Sequence, residues 1–179
     1  KKLVGTYMSP TAHRIQIDQK QVVNRNIDHR YTICDRADKD AWIADYLRSQ
    51  GDQRGLIFCR TRAGSIRMGL ELEEEGLSVA VIQGDLSQKD RDKIMRAFRK
   101  ERVQFLIATD VAARGIDVEG LSFVIHHQLP EAFQYYTHRS GRTARAGKKG
   151  VSIALIEPDE RDRLTKFESE LCVNFRLVD

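Results

Sequence analysis

Six short apolar runs, separated by charged stretches with helical spacing, constrain this chain more than any other feature. Arg30-Tyr31-Thr32-Ile33-Cys34, Gly55-Leu56-Ile57-Phe58-Cys59, Val79 to Ile82, Val103 to Ala108, Leu121 to His126 and Gly150 to Ile156 each read as a β-strand. Strands this continuously apolar are buried on both faces, and strands alternating with helices are joined in parallel. The intervening helices are legible too. Asp38 can cap a helix that places Trp42, Ile43, Tyr46 and Leu47 on one face and stops near Gly51. Ile66, Met68, Leu70 and Leu72 punctuate a charged segment from Gly64 to Glu75, which Gly76 ends. Ser87, three residues before Asp90, caps a helix running to about Arg102 with Ile94, Met95 and Phe98 inward. After Pro158, the positions Leu164, Phe167, Leu171 and Phe175 mark a last amphipathic helix. The expected fold is α/β, a doubly wound and mostly parallel sheet with helices on both faces. Ligands of such sheets meet the loops beyond the carboxyl ends of the strands.

Length and composition bound the rest. A chain of 179 residues can bury one continuous core. Its 30 Lys and Arg against 26 Asp and Glu leave a net charge of +4, mildly basic and far from histone-like. No apolar run is long enough for a transmembrane helix, so no membrane partner is expected. The start, Lys1-Lys2-Leu3, has no secretory leader and reads as a cut from a longer protein. Residues 1–25 are expected to be a lead-in segment and 26–179 the domain. Cys34, Cys59 and Cys172 are odd in number and far apart, a pattern that argues against disulfides and zinc and fits the reducing cytoplasm.

Four strand-end loops hold unusual constellations. The stretch from His138 to Lys149 carries Arg139, Arg142, Arg145, Lys148 and Lys149 without one acid. It reads either as a solvated basic face or as an anion site; three arginines spaced by three would share one side of a helix, and Arg suits bidentate phosphate contact. Asp110 and Asp117 flank Arg114-Gly115. They serve either a turn, or a close backbone approach to phosphate with a carboxylate for a ribose hydroxyl or a neighbouring Arg. The helix from Ser87 carries Lys89, Arg91, Lys93, Arg96, Arg99, Lys100 and Arg102. Most of that charge reads as ordinary helix surface, Arg91 near the start being the exception. Glu71, Glu73, Glu74 and Glu75 read likewise as exposed surface. His126-His127 cannot both ligate one ion from regular β geometry, since neighbours on a strand point to opposite faces.

In their order these constellations resemble one family. Leu56 to Arg62, Gln83-Gly84-Asp85 with Gln88 and Arg91, Ala108 to Asp117, and His138 to Gly147 look like motifs IV, IVa, V and VI of the C-terminal RecA-like domain of DEAD-box RNA helicases, in superfamily 2. The resemblance spans roughly residues 27–170. It implies that Arg142 and Arg145 act as arginine fingers on the γ-phosphate of ATP held by an N-terminal RecA-like domain. His138 and Arg139 would help lock the two domains together, while Asp117 and Gly115 would lie near the nucleotide. Thr61, Arg62, Gly84, Arg91, Thr109 and Gly115 would line an RNA backbone, read without sequence preference because these groups meet phosphates.

Departures accompany the likeness. Ala144 stands where the family usually has Gly, and Ser140 where it usually has a larger apolar residue. Neither a Gly-x-x-x-x-Gly-Lys-Ser/Thr loop nor an Asp-Glu-Ala-Asp box occurs, so ATP and its Mg²⁺ would be held by the other domain. The chain alone is therefore not expected to hydrolyse ATP. Two other readings stand beside this one: a nucleic-acid-binding or docking module with no catalytic part, and a motor that runs on DNA.

Overall fold

In the computed structural model, which describes residues 25–178 apart from Gly115, Asp117, Glu119 and 145–147, seven strands form one sheet. These are β1 (Ile27–Ile33), β2 (Gly55–Phe58), β3 (Val79–Ile82), β4 (Phe105–Ala108), β5 (Phe123–His126), β6 (Gly150–Ile156) and β7 (Arg176–Leu177). Their order is β3-β4-β2-β5-β6-β1-β7, and every pair is parallel. Of the lead-in segment expected over 1–25, only Arg25 falls among the described residues.

The three central strands β2, β4 and β5 are buried at every position, as their apolar runs require. Successive side chains then divide between the two faces. Ile57, Ile107, Ile125, Ile153 and Leu155 face α1 (Lys39–Ser49) and α2 (Arg62–Glu74), which contribute Ile43, Leu47, Met68 and Leu72. On the reverse face Leu56, Phe58, Leu106 and Val124 meet Met95 and Phe98 of α3 (Gln88–Arg99) and Ala112 and Ala113 of α4 (Asp110–Ala113). Further along that face, Ala154 and Ile156 meet Tyr136 of α5 (Phe133–Ser140) and Leu164, Phe167 and Leu171 of α6 (Arg161–Leu171).

The differences from the sequence reading are local and have causes. β1 begins at Ile27, three residues early, because pairing in register with β6 draws the polar Asp28 and His29 into the strand. β7 has two exposed residues and exists only by pairing with β1, which leaves no periodic signal. Asp38 occupies the start of α1 without a side-chain cap bond, whereas Thr61 and Ser87 accept the Gly64 and Asp90 N–H groups, each at 3.1 Å. α3 ends at Arg99, not Arg102. Glu101 takes φ of 59°, and the Glu101 and Arg102 N–H groups bond back to the Phe98 and Ala97 carbonyls at 3.0 and 2.9 Å, closing a Schellman motif.

Candidate functional site

The carboxyl ends of β2, β3 and β4 bring three of the loops to one edge of the sheet, and the fourth constellation starts at the end of the helix that follows β5 and leads into β6. Beyond β4, Thr109 caps α4 by accepting the Ala112 N–H, so Asp110 sits in the first turn of that helix. Arg139 reaches it from α5. Its Nε and Nη2 donate to the two Asp110 oxygens at 2.6 Å each, and Nη1 donates to the Gln128 carbonyl at 3.2 Å. The guanidinium also lies 5.0 Å over the Phe58 ring. Arg139 is only 4% exposed, so its charge is matched inside the fold. Of the two tasks the sequence left open for the carboxylate, Asp110 meets a neighbouring Arg.

Behind Arg139 a polar ladder runs into the core. His126 Nδ1 lies 3.5 Å from Arg139 Nη1, and its Nε2 lies 2.9 Å from the Ser152 hydroxyl. Ser152 also meets Ser140 at 2.8 Å and the Tyr136 hydroxyl at 3.0 Å, and that hydroxyl meets His29 Nδ1 at 2.7 Å. The departure at Ser140 is thus explained in this chain: its hydroxyl is a rung of the ladder. Burial holds His29 down to about 4 against the opposing pull of Asp28. It drives His126 well below the ordinary histidine range, with Arg139 and His29 adding to the effect, and raises the Tyr136 phenol. Both imidazoles are therefore neutral at pH 7. His127 points to the opposite face and bonds Asp40 at 2.7 Å. Burial raises the Asp40 carboxyl, but His127 and Arg67 outweigh it and leave Asp40 below its usual range.

The reading of Arg139, Arg142 and Arg145 as one helical face is corrected here. α5 stops at Ser140, the Gly141 N–H closes on Thr137 at 2.9 Å, and the chain turns. Thr143 then pairs with Leu121 as an isolated bridge, and Ala144 follows with φ of 55°, the left-handed region that favours glycine. Arg139 consequently points inward from the helix, and Arg142 lies beyond it, half-buried, donating to the Ile116 carbonyl at 2.8 Å. Arg142 lines a cavity of about 190 Å³ together with Asp110, Arg114, Tyr135, exposed His138 and Arg139. A second cavity of about 230 Å³ adjoins it, sharing Asp110, Arg114, Tyr135 and Arg139 and adding Arg60 and Thr109. Tyr135 is an exposed aromatic between the two that sequence periodicity gave no reason to single out.

The remaining site candidates divide. Arg62 bonds Gln83 at 3.0 Å and pairs with Asp85, tying the β2 loop to the β3 loop beside the open Gly84. Arg91 donates to the Ala112 and Arg114 carbonyls, where a cation complements the C-terminus of α4. Gly115, Asp117 and Arg145 lie outside the described residues. No described group of three His, Cys, Asp or Glu side chains could hold a metal ion.

Residues 38–147 match the family model described as the helicase conserved C-terminal domain. The chain is 35% identical over all its 179 residues to the DEAD-box ATP-dependent RNA helicase CshB of Bacillus cereus, and spans 41% of that relative's length. Among solved structures, the C-terminal domain of the DEAD-box protein Dbp5 superposes with a TM-score of 0.79 at 30% identity, over 86% of this chain and 90% of that one. Saccharomyces cerevisiae Dbp5 bound to RNA and ADP BeF3 superposes with a TM-score of 0.84 at 27% identity, over 99% of this chain and 48% of that one.

Proposed function

The chain belongs to the helicase conserved C-terminal domain family, in its DEAD-box RNA helicase branch, and from that premise we propose that it is the C-terminal RecA-like half of an ATP-dependent RNA helicase. An upstream RecA-like half holds ATP and its Mg²⁺, and this half supplies the groups that complete the site. Within this chain the division of labour follows from burial. Arg139, clamped on Asp110, carries no charge outward and fixes the end of α5. Arg142, three residues on and past the end of the helix, carries its guanidinium to the cavity beside Arg114 and His138. That placement is the observation that carries the proposal. A planar cation already fixed at the edge of the partner's phosphate neutralises charge developing on the transferred group, which is worth about 10³–10⁵ in rate for such fingers. Arg145 is the second finger, His138 part of the lock between the halves, and Asp117 and Gly115 the contacts near the ribose.

The RNA path runs over Thr61, Arg62, Gly84, Thr109 and Gly115, with Arg91 supporting it from behind by holding the carbonyls at the end of α4. Backbone contact of this kind makes binding independent of sequence and steeply salt-dependent. Duplex unwinding or ribonucleoprotein remodelling in the cytoplasm is the function of the whole protein. The solved relative with RNA and ADP BeF3 supports the pairing of ligands. No described helix is long and apolar enough to cross a membrane.

The test is ATP hydrolysis with and without single-stranded RNA, on this chain alone and joined to the upstream half. Turnover is expected only in the joined protein, stimulated by RNA and reduced by orders of magnitude in Arg142→Ala with ATP affinity modestly changed. Turnover indifferent to RNA and to Arg142 overturns the assignment.

A further inference from the structure

Away from the strand-end loops, the outer side of α3 carries a line of exposed cations. Lys89, Lys93, Arg96 and Lys100 follow one another at steps of four, three and four residues, so they form one line opposite Met95 and Phe98. All four are exposed. Several other helical cations meet carboxylates: Arg48 pairs with Asp45 and Glu75, Arg67 with Glu71 and Asp40, and the half-buried Arg163 with Glu160, whereas Arg161 and Lys166 of α6 stand exposed and on no common line. Among the described residues none of the four in the α3 line, three on the helix and Lys100 just past its end, meets one. The acids of the same helix are engaged elsewhere, Asp90 by the Ser87 hydroxyl at 2.6 Å and Asp92 by the Gln88 amide at 2.9 Å. Like charges one turn apart oppose a helix, so the stripe is a surface whose compensation comes from outside.

The stripe is about 16 Å long at 1.5 Å per residue. It begins at the turn carrying Gly84 and leads away from the strand-end edge. It is mostly lysine, compact point charges that suit phosphates without reading bases, and no aromatic or apolar side chain interrupts it. We propose that this face is a second RNA-backbone contact, taking phosphates of a strand that has left the loops past Gly84. The inference rests on the RNA-binding reading above and extends the bound strand beyond it.

The experiment compares the intact protein, upstream half included, with its variant Lys89→Gln, Lys93→Gln, Arg96→Gln, Lys100→Gln; Gln keeps the helix. Single-stranded RNAs of about 10 and about 40 nucleotides are titrated at several salt concentrations. The long RNA should bind about tenfold more weakly to the variant, with a salt slope shallower by about three, since each single-strand phosphate contact contributes about 0.7. The short RNA and RNA-stimulated turnover should be unchanged. A control removing Arg161 and Lys166 of α6, both exposed, should leave both RNAs unaffected. Unchanged long-RNA affinity, or an equal loss for both lengths, would overturn the proposal. A wild-type protein that binds no short RNA would instead sink the RNA-binding reading beneath it.

Discussion

α3 carries five Lys and Arg in twelve residues and α5 a single Arg in eight, and the two helices use that charge in opposite ways. On α5 the charge of Arg139 is buried and cancelled by Asp110 before any ligand arrives, with the ladder of His126, Ser152, Ser140, Tyr136 and His29 behind it. On α3 the charge faces water along a whole stripe and meets no acid among the described residues. Spacing alone does not distinguish these cases. Whether an arginine holds the fold or reaches for a ligand depends on which carboxylate the sheet brings to it.

The contrast breaks most visibly at Asp110. In Asp110→Ala the Arg139 guanidinium would be left buried without its counter-charge, a loss of about 3–5 kcal/mol when one partner of a buried pair is removed. Urea denaturation of this chain measures it, and neutralising any one cation of the α3 stripe should by comparison change stability by less than about 0.5 kcal/mol.

A second effect follows from the ladder's histidines. His29 titrates near 4 in the folded chain against 6.5 for the ordinary side chain. Between those values the unfolded chain holds the extra proton and the folded chain does not. Stability is therefore complete above pH 6.5 and falls as the pH drops toward 4, by roughly 3 kcal/mol from His29. His126 adds in the same direction. Denaturation midpoints at several pH values should show this slope in the wild type and a shallower one in His29→Asn.

The smallest effect sharpens the comparison at the turn after α5. Ala144 is buried with φ of 55°, and a side chain in the left-handed region costs about 1 kcal/mol. Ala144→Gly should raise thermal stability by about that amount, less whatever the greater freedom of glycine in the unfolded chain takes back. An unchanged or lowered melting temperature would show that the turn has absorbed the methyl group.

Much of the fold was legible because its signals are local. The central strands are uniformly apolar, and Ser87 caps its helix through a contact three residues away. The edges were less legible. β1 hides its first half behind Asp28 and His29, and β7 exists only because β1 offers unpaired backbone groups. In the candidate site, sequence order singled out the loops and their arginines but not their partners. Asp110 to Arg139 is 29 residues apart and His29 to Tyr136 is 107, and no periodicity spans such distances. Ser140 looked like a departure and proved to be a hydrogen-bonding member of a buried network.

The amino-acid sequence by itself determined the alternation of strands and helices, the parallel sheet that follows from it, and the motif order that marks the family. Those depend on apolar periodicity and turn chemistry, which act between near neighbours. Only the tertiary structure decided that Arg139 turns inward while Arg142 reaches the cavity, that Arg91 braces α4, and that four cations on α3 and just past its end go without acids. Such outcomes depend on which distant groups share a low-dielectric interior, and that is set when the sheet closes.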